Sequence, residues 1–322
     1  MSQHKVDLAV IGSGGAAFAG AIHATTLGKR VVMIERSTLG GTCVNTGCIP
    51  SKALIAAAEA RHVAADAARF PGISASTGPV DMASLVGGKQ TLVESLRSEK
   101  YLDVAESYGW PVLPGDATFD GTPDAPILRV TAADGIRQTI EAEHYLVATG
   151  SRAWVPPIAG LDSVDYLNST TAMELNEVPE SMLVLGGGYV ALEQAQLFAR
   201  LGSKVTMLVR SRLASKEDPE VSQALQRVFA DEGIRVVRRA QVRLLASGEP
   251  VEISALAREA GLTGNQVNDR RRAAELVRAR RCLPCRQRSR RSPEFAATGH
   301  FFRNRTLDPG SLKPPGLRLI AC

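Results

Sequence analysis

The sequence predicts an α/β protein made of two three-layer nucleotide-binding units in tandem. Three observations predict it. Short apolar runs at 6–11 and 181–185 each end in a cluster of glycines. Each cluster opens a small-residue helix that a further glycine closes, Gly28 in one case and Gly202 in the other. A second apolar run follows each helix, at 30–35 and 204–209. Strand, glycine turn, helix and strand form a βαβ crossover, which makes the two strands parallel.

The remaining elements follow in order. Residues 53–69 are Ala-rich and helical, and 81–108 read as one longer, more charged helix. Residues 111–147 alternate short strand runs with Pro, Gly and Asp turns, closing on Tyr145-Leu146-Val147-Ala148-Thr149-Gly150. The expected domains are 1–150, 151–245 and a basic tail at 246–322. In that tail, 253–272 has helix-turn-helix spacing and the remainder reads as disordered or out of frame.

Composition narrows the function classes. The chain has 322 residues, enough for two domains and an appended piece. Its hydrophobic fraction of 44% supports real cores. No run approaches the ~18 apolar residues of a membrane span, and the first apolar run ends in glycines rather than a cleavage site. A cytoplasmic protein away from membranes is the expectation. The net charge of +5 is unevenly placed. Residues 1–246 hold 23 Lys+Arg against 26 Asp+Glu, and 247–322 hold 15 against 7. The basic excess therefore argues for no nucleic-acid partner in the first three quarters of the chain. Five cysteines, an odd number in a chain with no secretory signal, argue against a disulfide framework.

The first glycine turn has the spacing of a dinucleotide site: Gly12, Gly14 and then the small Ala17. The first position allows the tight turn, the second lets a pyrophosphate approach, and the third lets helix and strand pack closely. Glu35 lies where a ribose acceptor is needed, at the end of the second strand. Both units are thus Rossmann-type. The second turn repeats the pattern with Gly186, Gly188 and Ala191. Arg210 stands where an acidic residue would select NAD, with Arg212 two residues on. Two guanidinium groups suit a 2′-phosphate, which favours NADPH. Between the turns, Cys43 and Cys48, with four residues between them, sit at the opening of a helix, where the dipole lowers a thiol pKa. A zinc site would need two more nearby Cys or His ligands, and a redox-active pair is the better reading.

The run Gly40-Gly41-Thr42-Cys43-Val44-Asn45-Thr46-Gly47-Cys48-Ile49-Pro50-Ser51-Lys52 resembles the active site of the flavin-dependent pyridine nucleotide–disulfide oxidoreductases. Ser98-Glu99-Lys100-Tyr101 and the run 191–206 are similar to mercuric reductases among them. The resemblance covers about residues 4–245. It implies FAD at the first turn, with Gly41, Thr42, Thr149 and Gly150 adding to that site. It implies that Cys48 forms the flavin charge-transfer contact and Cys43 is the interchange thiol. Lys52 would sit near flavin N5 and pair with Glu193, and Tyr189 would gate the nicotinamide pocket. The implied reaction is NADPH-dependent reduction of Hg(II), held by Cys43 and Cys48, to Hg(0). A glutathione reductase-like or dihydrolipoamide dehydrogenase-like disulfide reductase is the alternative, and a redox-responsive DNA-binding protein acting through the tail is the second. The resemblance implies a homodimer, yet the family's C-terminal dimerisation domain is not matched. His300, the Cys282–Cys285 pair and Cys322 find no family counterpart, so the expectation is a truncated or fused reductase chain.

Overall fold

The computed structural model describes residues 3–158, 161, 165–240 and 317–321. In chain order the first elements are β1 (Gln3–Ile11), α1 (Gly15–Thr26), β2 (Val31–Glu35), α2 (Gly41–Asn45) and α3 (Cys48–Asp66). Next come α4 (Met82–Arg97), a π-helical turn at Ser98–Leu102 and α5 (Asp103–Ser107). Four strands follow: β3 (Val112–Pro114), β4 (Asp116–Thr122), β5 (Ala125–Thr131) and β6 (Arg137–Val147). The rest are β7 (Tyr166–Leu167), α6 (Ser169–Ala172), β8 (Ser181–Leu185), α7 (Tyr189–Leu201), β9 (Lys204–Val209), α8 (Pro219–Asp231), β10 (Arg235–Arg238) and β11 (Leu317–Ala321).

The chain forms two compact units, each with its own sheet. In the first unit the strand order is β3-β2-β1-β6-β5-β4. β1 pairs in parallel with β2 and β6, while β4 and β5 add an antiparallel extension. Alternation along β2 decides which face each side chain joins. Val31 and Met33 pack with Val10, Phe18, Ala21 and Trp110 under α1. Val32 and Ile34 face the other way, onto Ala9, Leu128, Val130 and Ile140. Both faces of the sheet are thus dry, the condition for a parallel sheet. Trp110 donates its indole N–H to Thr25 Oγ1 at 2.8 Å, so its buried polar atom is paired.

The expected single helix at 81–108 is in fact α4 and α5 joined by the π-helical turn. Asp81 caps its start, accepting from Ser84 N at 3.0 Å and Ser84 Oγ at 2.7 Å. The extra residue of the π turn shifts the face that Tyr101 presents. Its ring packs edge-on against Phe18, with centroids 4.9 Å apart.

In the second unit the order is β10-β9-β8-β11-β7, with every pairing parallel. Two features here differ from the expected division of the chain. Residues 169–178 belong with the first unit, not with the second. The cause is Lys89 on α4, only 4% exposed, which donates to Met173 O at 3.2 Å and pairs with Glu174. A buried ammonium needs such partners, and this one pulls the crossing segment to α4. The second difference concerns the tail. Residues 317–321 are a strand, β11, between β8 and β7. Leu-Arg-Leu-Ile-Ala has the apolar content to lie inside a sheet, and Leu319, Ile320 and Ala321 are buried there. The helix-turn-helix-like residues 253–272, together with Cys282, Cys285, His300 and Cys322, lie outside the described residues.

The Lys89 pair yields a prediction. Glu174→Ala leaves the buried ammonium with a carbonyl alone and is expected to cost about 1–3 kcal/mol. Lys89→Met keeps the stem's packing and removes the charge, and should cost less. Urea unfolding of the two variants checks the order.

Candidate functional site

In the first unit the glycine turn is clamped between two strands. Gly12 donates to Ile34 O at 2.8 Å, and Ala148 donates to Ile11 O at 2.9 Å. Gly12 has φ +107, and a Cβ placed on it would lie 2.3 Å from Ala148 O. Only glycine fits there. Gly14 caps α1 in an extended conformation and no side chain caps the helix. The first-turn N–H groups therefore point outward without a side-chain acceptor, as an anion site requires. Ala17 is fully buried, letting α1 lie close on β1.

Ser13 ties this turn to its surroundings. It is 1% exposed. Its hydroxyl donates to Glu35 Oε2 at 2.5 Å and accepts from Gly40 N at 3.1 Å. Glu35 Oε1 accepts from Ser37 N and Ser37 Oγ, both at 2.9 Å. Burial alone would push the Glu35 carboxyl up, but the bonds from Ser13, Ser37 and Arg36 N outweigh it and hold it below the usual carboxylate range. The carboxylate is thus ionised and aimed at neutral pH. The Ser37 bonds are exposed, so Oε1 is the oxygen that can exchange a partner for a ribose hydroxyl.

Ser13→Ala removes the buried link. Because the folded state holds Glu35 low, its stabilising contribution is present above the unfolded carboxylate pKa and is lost as pH falls through the folded value. The variant is expected to lose about 1–2 kcal/mol at pH 7 and a smaller amount at pH 3. Denaturant unfolding at the two pH values measures the difference.

The cysteine loop packs on this same turn. A Cβ on Gly41 would lie 2.6 Å from Gly14 Cα, so the loop's backbone touches the turn's backbone. Gly41 and Thr42 open α2, and Thr42 O accepts from Thr46 N at 2.9 Å. Asn45 Nδ2 donates to Leu39 O and Gly41 O, both at 2.9 Å, and Arg97 donates to Asn45 Oδ1 at 3.1 Å. This brace ties α2 to the loop before it and to the end of α4. Cys43 lies within α2 and Cys48 is the first residue of α3; both are free thiols and exposed.

The hydrogen bond to the Cys48 side chain pushes the Cys43 thiol up, helped by burial, although the Cys48 backbone N–H pulls the other way. The sequence reading expected helix position alone to lower the thiols; for Cys43 the neighbouring sulfur wins. Tyr101, from the π-helical turn, packs beside Gly40 at the start of this loop, where a Cβ would lie 3.3 Å from its ring. Burial raises its phenol, and the charge of Cys43 raises it further. Lys52 is one turn after Cys48 on α3, while Glu193 is on α7 in the other unit. Thr149 and Gly150 are exposed just past β6, next to the Ala148 that clamps Gly12. Among the described residues, no group of three or more His, Cys, Asp or Glu could hold a metal ion.

The second unit repeats the turn. Gly186 has φ +133 and donates to Leu208 O at 3.0 Å, matching the bond of Gly12. Gly188 caps α7, again with no side-chain cap, and no atom lies within 4 Å of where its Cβ would be. Ala191 is buried. Gly187, which the spacing argument passed over, is also required, since its Cβ would meet Val209 Cγ1 at 2.6 Å. Tyr189 is the first residue of α7, 58% exposed. Arg210 is exposed just past β9. Arg212 donates through Nη2 to Ser215 O at 3.1 Å and Glu217 O at 2.6 Å, fixing the loop it belongs to.

Residues 6–266 match the family model described as pyridine nucleotide-disulphide oxidoreductase. The chain belongs to the pyridine nucleotide-disulphide oxidoreductase family. A mercuric reductase of Streptomyces lividans is 56% identical over 272 residues, covering 84% of this chain and 55% of the relative. One from Lysinibacillus sphaericus is 42% identical over 251 residues, covering 77% and 44%. Among solved structures, the Cu(II) complex of the HOCl-induced flavoprotein disulfide reductase RclA from Escherichia coli superposes with a TM-score of 0.65. It is 29% identical and covers 77% of this chain and 52% of that one. The chain thus spans about half the length of the relatives it matches.

For a member of this family FAD and NADPH are the cofactors. The residues fit both groups: two glycine turns in which Gly12, Gly41 and Gly187 leave no room for a Cβ, two uncapped helix N-termini, and an aimed carboxylate in the first. Three residues at these sites escaped the sequence reading. Ser13 occupies a variable position of its motif, and Glu217 lies 28 residues from its partner. Tyr101 lies in a helical run whose spacing gives no sign of a site. No helix among the described residues is long and apolar enough to cross a membrane.

Proposed function

We propose that this chain is an NADPH- and FAD-dependent reductase of Hg(II). The first glycine turn takes FAD, the second takes NADPH, and Cys43 and Cys48 are the redox-active pair. The observation that supports this reading most is the contact of the two thiols on consecutive helices, packed directly on the first glycine turn. FAD, when bound, would pass the two electrons of NADPH to the Cys43–Cys48 disulfide. The thiols so formed are soft ligands for a soft cation and bind Hg(II) as thiolates. Tyr101, whose ring packs beside Gly40 at the start of the cysteine loop and whose phenol feels the charge of Cys43, is assigned to supplying a hydroxyl near the pair. Over one cycle NADPH and Hg(II) become NADP⁺, a proton and Hg(0). Lys52 and Glu193 are assigned to tuning the flavin, and Arg210 and Arg212 to the 2′-phosphate. A homodimer and a cytoplasmic location complete the reading.

The test is NADPH oxidation by the purified, FAD-loaded chain, followed at 340 nm, with Hg(II), lipoamide or glutathione disulfide as acceptor. Oxidation that depends on Hg(II) supports the proposal. Oxidation with an organic disulfide and none with Hg(II) overturns it.

A further inference from the structure

The loop between β9 and α8 touches the second glycine turn at two points. Ala214 donates its backbone N–H to Gly187 O at 2.7 Å. Glu217 accepts a hydrogen bond from the Tyr189 hydroxyl. The middle of the loop is rigid. Leu213 is 1% exposed and Ala214 5% exposed, and Ala214 holds a left-handed φ of +44. A non-glycine residue in that region stores strain and persists only where its surroundings fix it. The loop thus connects the exposed Arg210 at one end with Glu217 at the other through a buried hinge. Arg212 spans the gap, since its guanidinium holds the carbonyls of Ser215 and Glu217.

We propose that Glu217 is the positioning residue for Tyr189, and that Arg212 couples this hold to recognition of the cofactor's 2′-phosphate. The inference rests on the second turn being the NADPH site. A phosphate offers Arg212 charge-assisted bonds roughly twice as strong as those to neutral carbonyls. When Arg212 turns to a phosphate it gives up Glu217 O. Glu217 N still donates to Ala214 O at 2.9 Å, so the backbone stays tethered while the Glu217 side chain turns away and its carboxylate releases the Tyr189 hydroxyl. Tyr189 is exposed at the mouth of an open turn, so its ring can swing without unpacking a core. The ring therefore clears the turn for a cofactor carrying the 2′-phosphate and stays in place for one lacking it. Glu217 contributes to discrimination without touching the cofactor.

The test uses the full chain with 3-fluorotyrosine at position 189 and fluorine NMR. The probes are adenosine 2′,5′-bisphosphate and 5′-AMP, with binding read separately from their phosphorus resonances. Saturating bisphosphate is expected to shift the fluorine resonance, and saturating 5′-AMP to leave it in place. In Glu217→Ala the resonance should already sit near the shifted position before any probe is added. Glu217→Gln, which keeps an acceptor, should return it to the native position and so separates loss of the hold from misfolding. Bisphosphate that binds without moving the resonance overturns this inference and leaves the cofactor reading standing. A Glu217→Ala resonance at the native position overturns it too. Bisphosphate that does not bind at all overturns both.

Discussion

Cys43→Ser and Cys48→Ser are each expected to lower Hg(II)-dependent NADPH oxidation by about 10³-fold or more, because one remaining sulfur cannot form the disulfide that stores two electrons. A second measurement reads the contact between the two thiols. In the native chain the hydrogen bond to Cys48 pushes the Cys43 thiol up. Removing that sulfur lets Cys43 ionise at lower pH. The thiolate is the nucleophile, so alkylation of Cys43 by iodoacetamide in Cys48→Ala should begin at lower pH than in the reduced native pair. An unchanged alkylation profile would mean that the two thiols do not share a proton. Asn45→Ala, which opens the brace on α2, is a useful control, since it leaves both sulfurs in the chain.

The second large effect is at the first glycine turn. Gly12→Ala meets two penalties, a left-handed backbone at φ +107 and a Cβ 2.3 Å from Ala148 O. The clashing atom is backbone in the clamp between β1 and β6, so it cannot step aside cheaply. About 3 kcal/mol or more of stability is expected to be lost, together with FAD retention. Gly188→Ala is the informative contrast. Its backbone has φ −80, and its Cβ would meet nothing within 4 Å. Stability should barely change, while NADPH binding weakens by roughly tenfold, because the methyl stands where the pyrophosphate must approach. Thermal unfolding together with cofactor titration separates the two. Similar stability loss in both variants would show that the open space at Gly188 has a structural role.

What the sequence made legible was local. The two strand–turn–helix–strand units show plainly, because glycine spacing, apolar runs and helix-closing glycines all lie within about 30 residues of one another. The cysteine loop was legible for the same reason. What escaped depends on contacts between distant residues. Nothing in Ser169-Thr170-Thr171-Ala172 says that the segment folds with the first unit; that follows from Lys89, 85 residues before Glu174. Nothing in Ser98-Glu99-Lys100-Tyr101-Leu102 marks an extra residue in the helical turn. The role of Ser13 depends on Glu35 and Gly40 arriving together, and Glu217 became visible only through Tyr189. Leu317–Ala321 follows an Arg- and Pro-rich stretch, where five apolar-leaning residues give too short a pattern to read.

That last strand bears on the order in which the second sheet assembles. β8, β9 and β10 are neighbours in sequence and can pair as soon as α7 and α8 form. β11 comes from far downstream, and among the described residues β7 pairs with the sheet only through it. Pairings over such separations close late, because the loop entropy is met before the contacts reward it. Until then the β8 edge offers a row of unpaired N–H and C=O groups, and any extended peptide nearby can compete for it. The step that completes the second unit is therefore also its most exposed moment during folding, and crowding or slow synthesis should tell there before anywhere else.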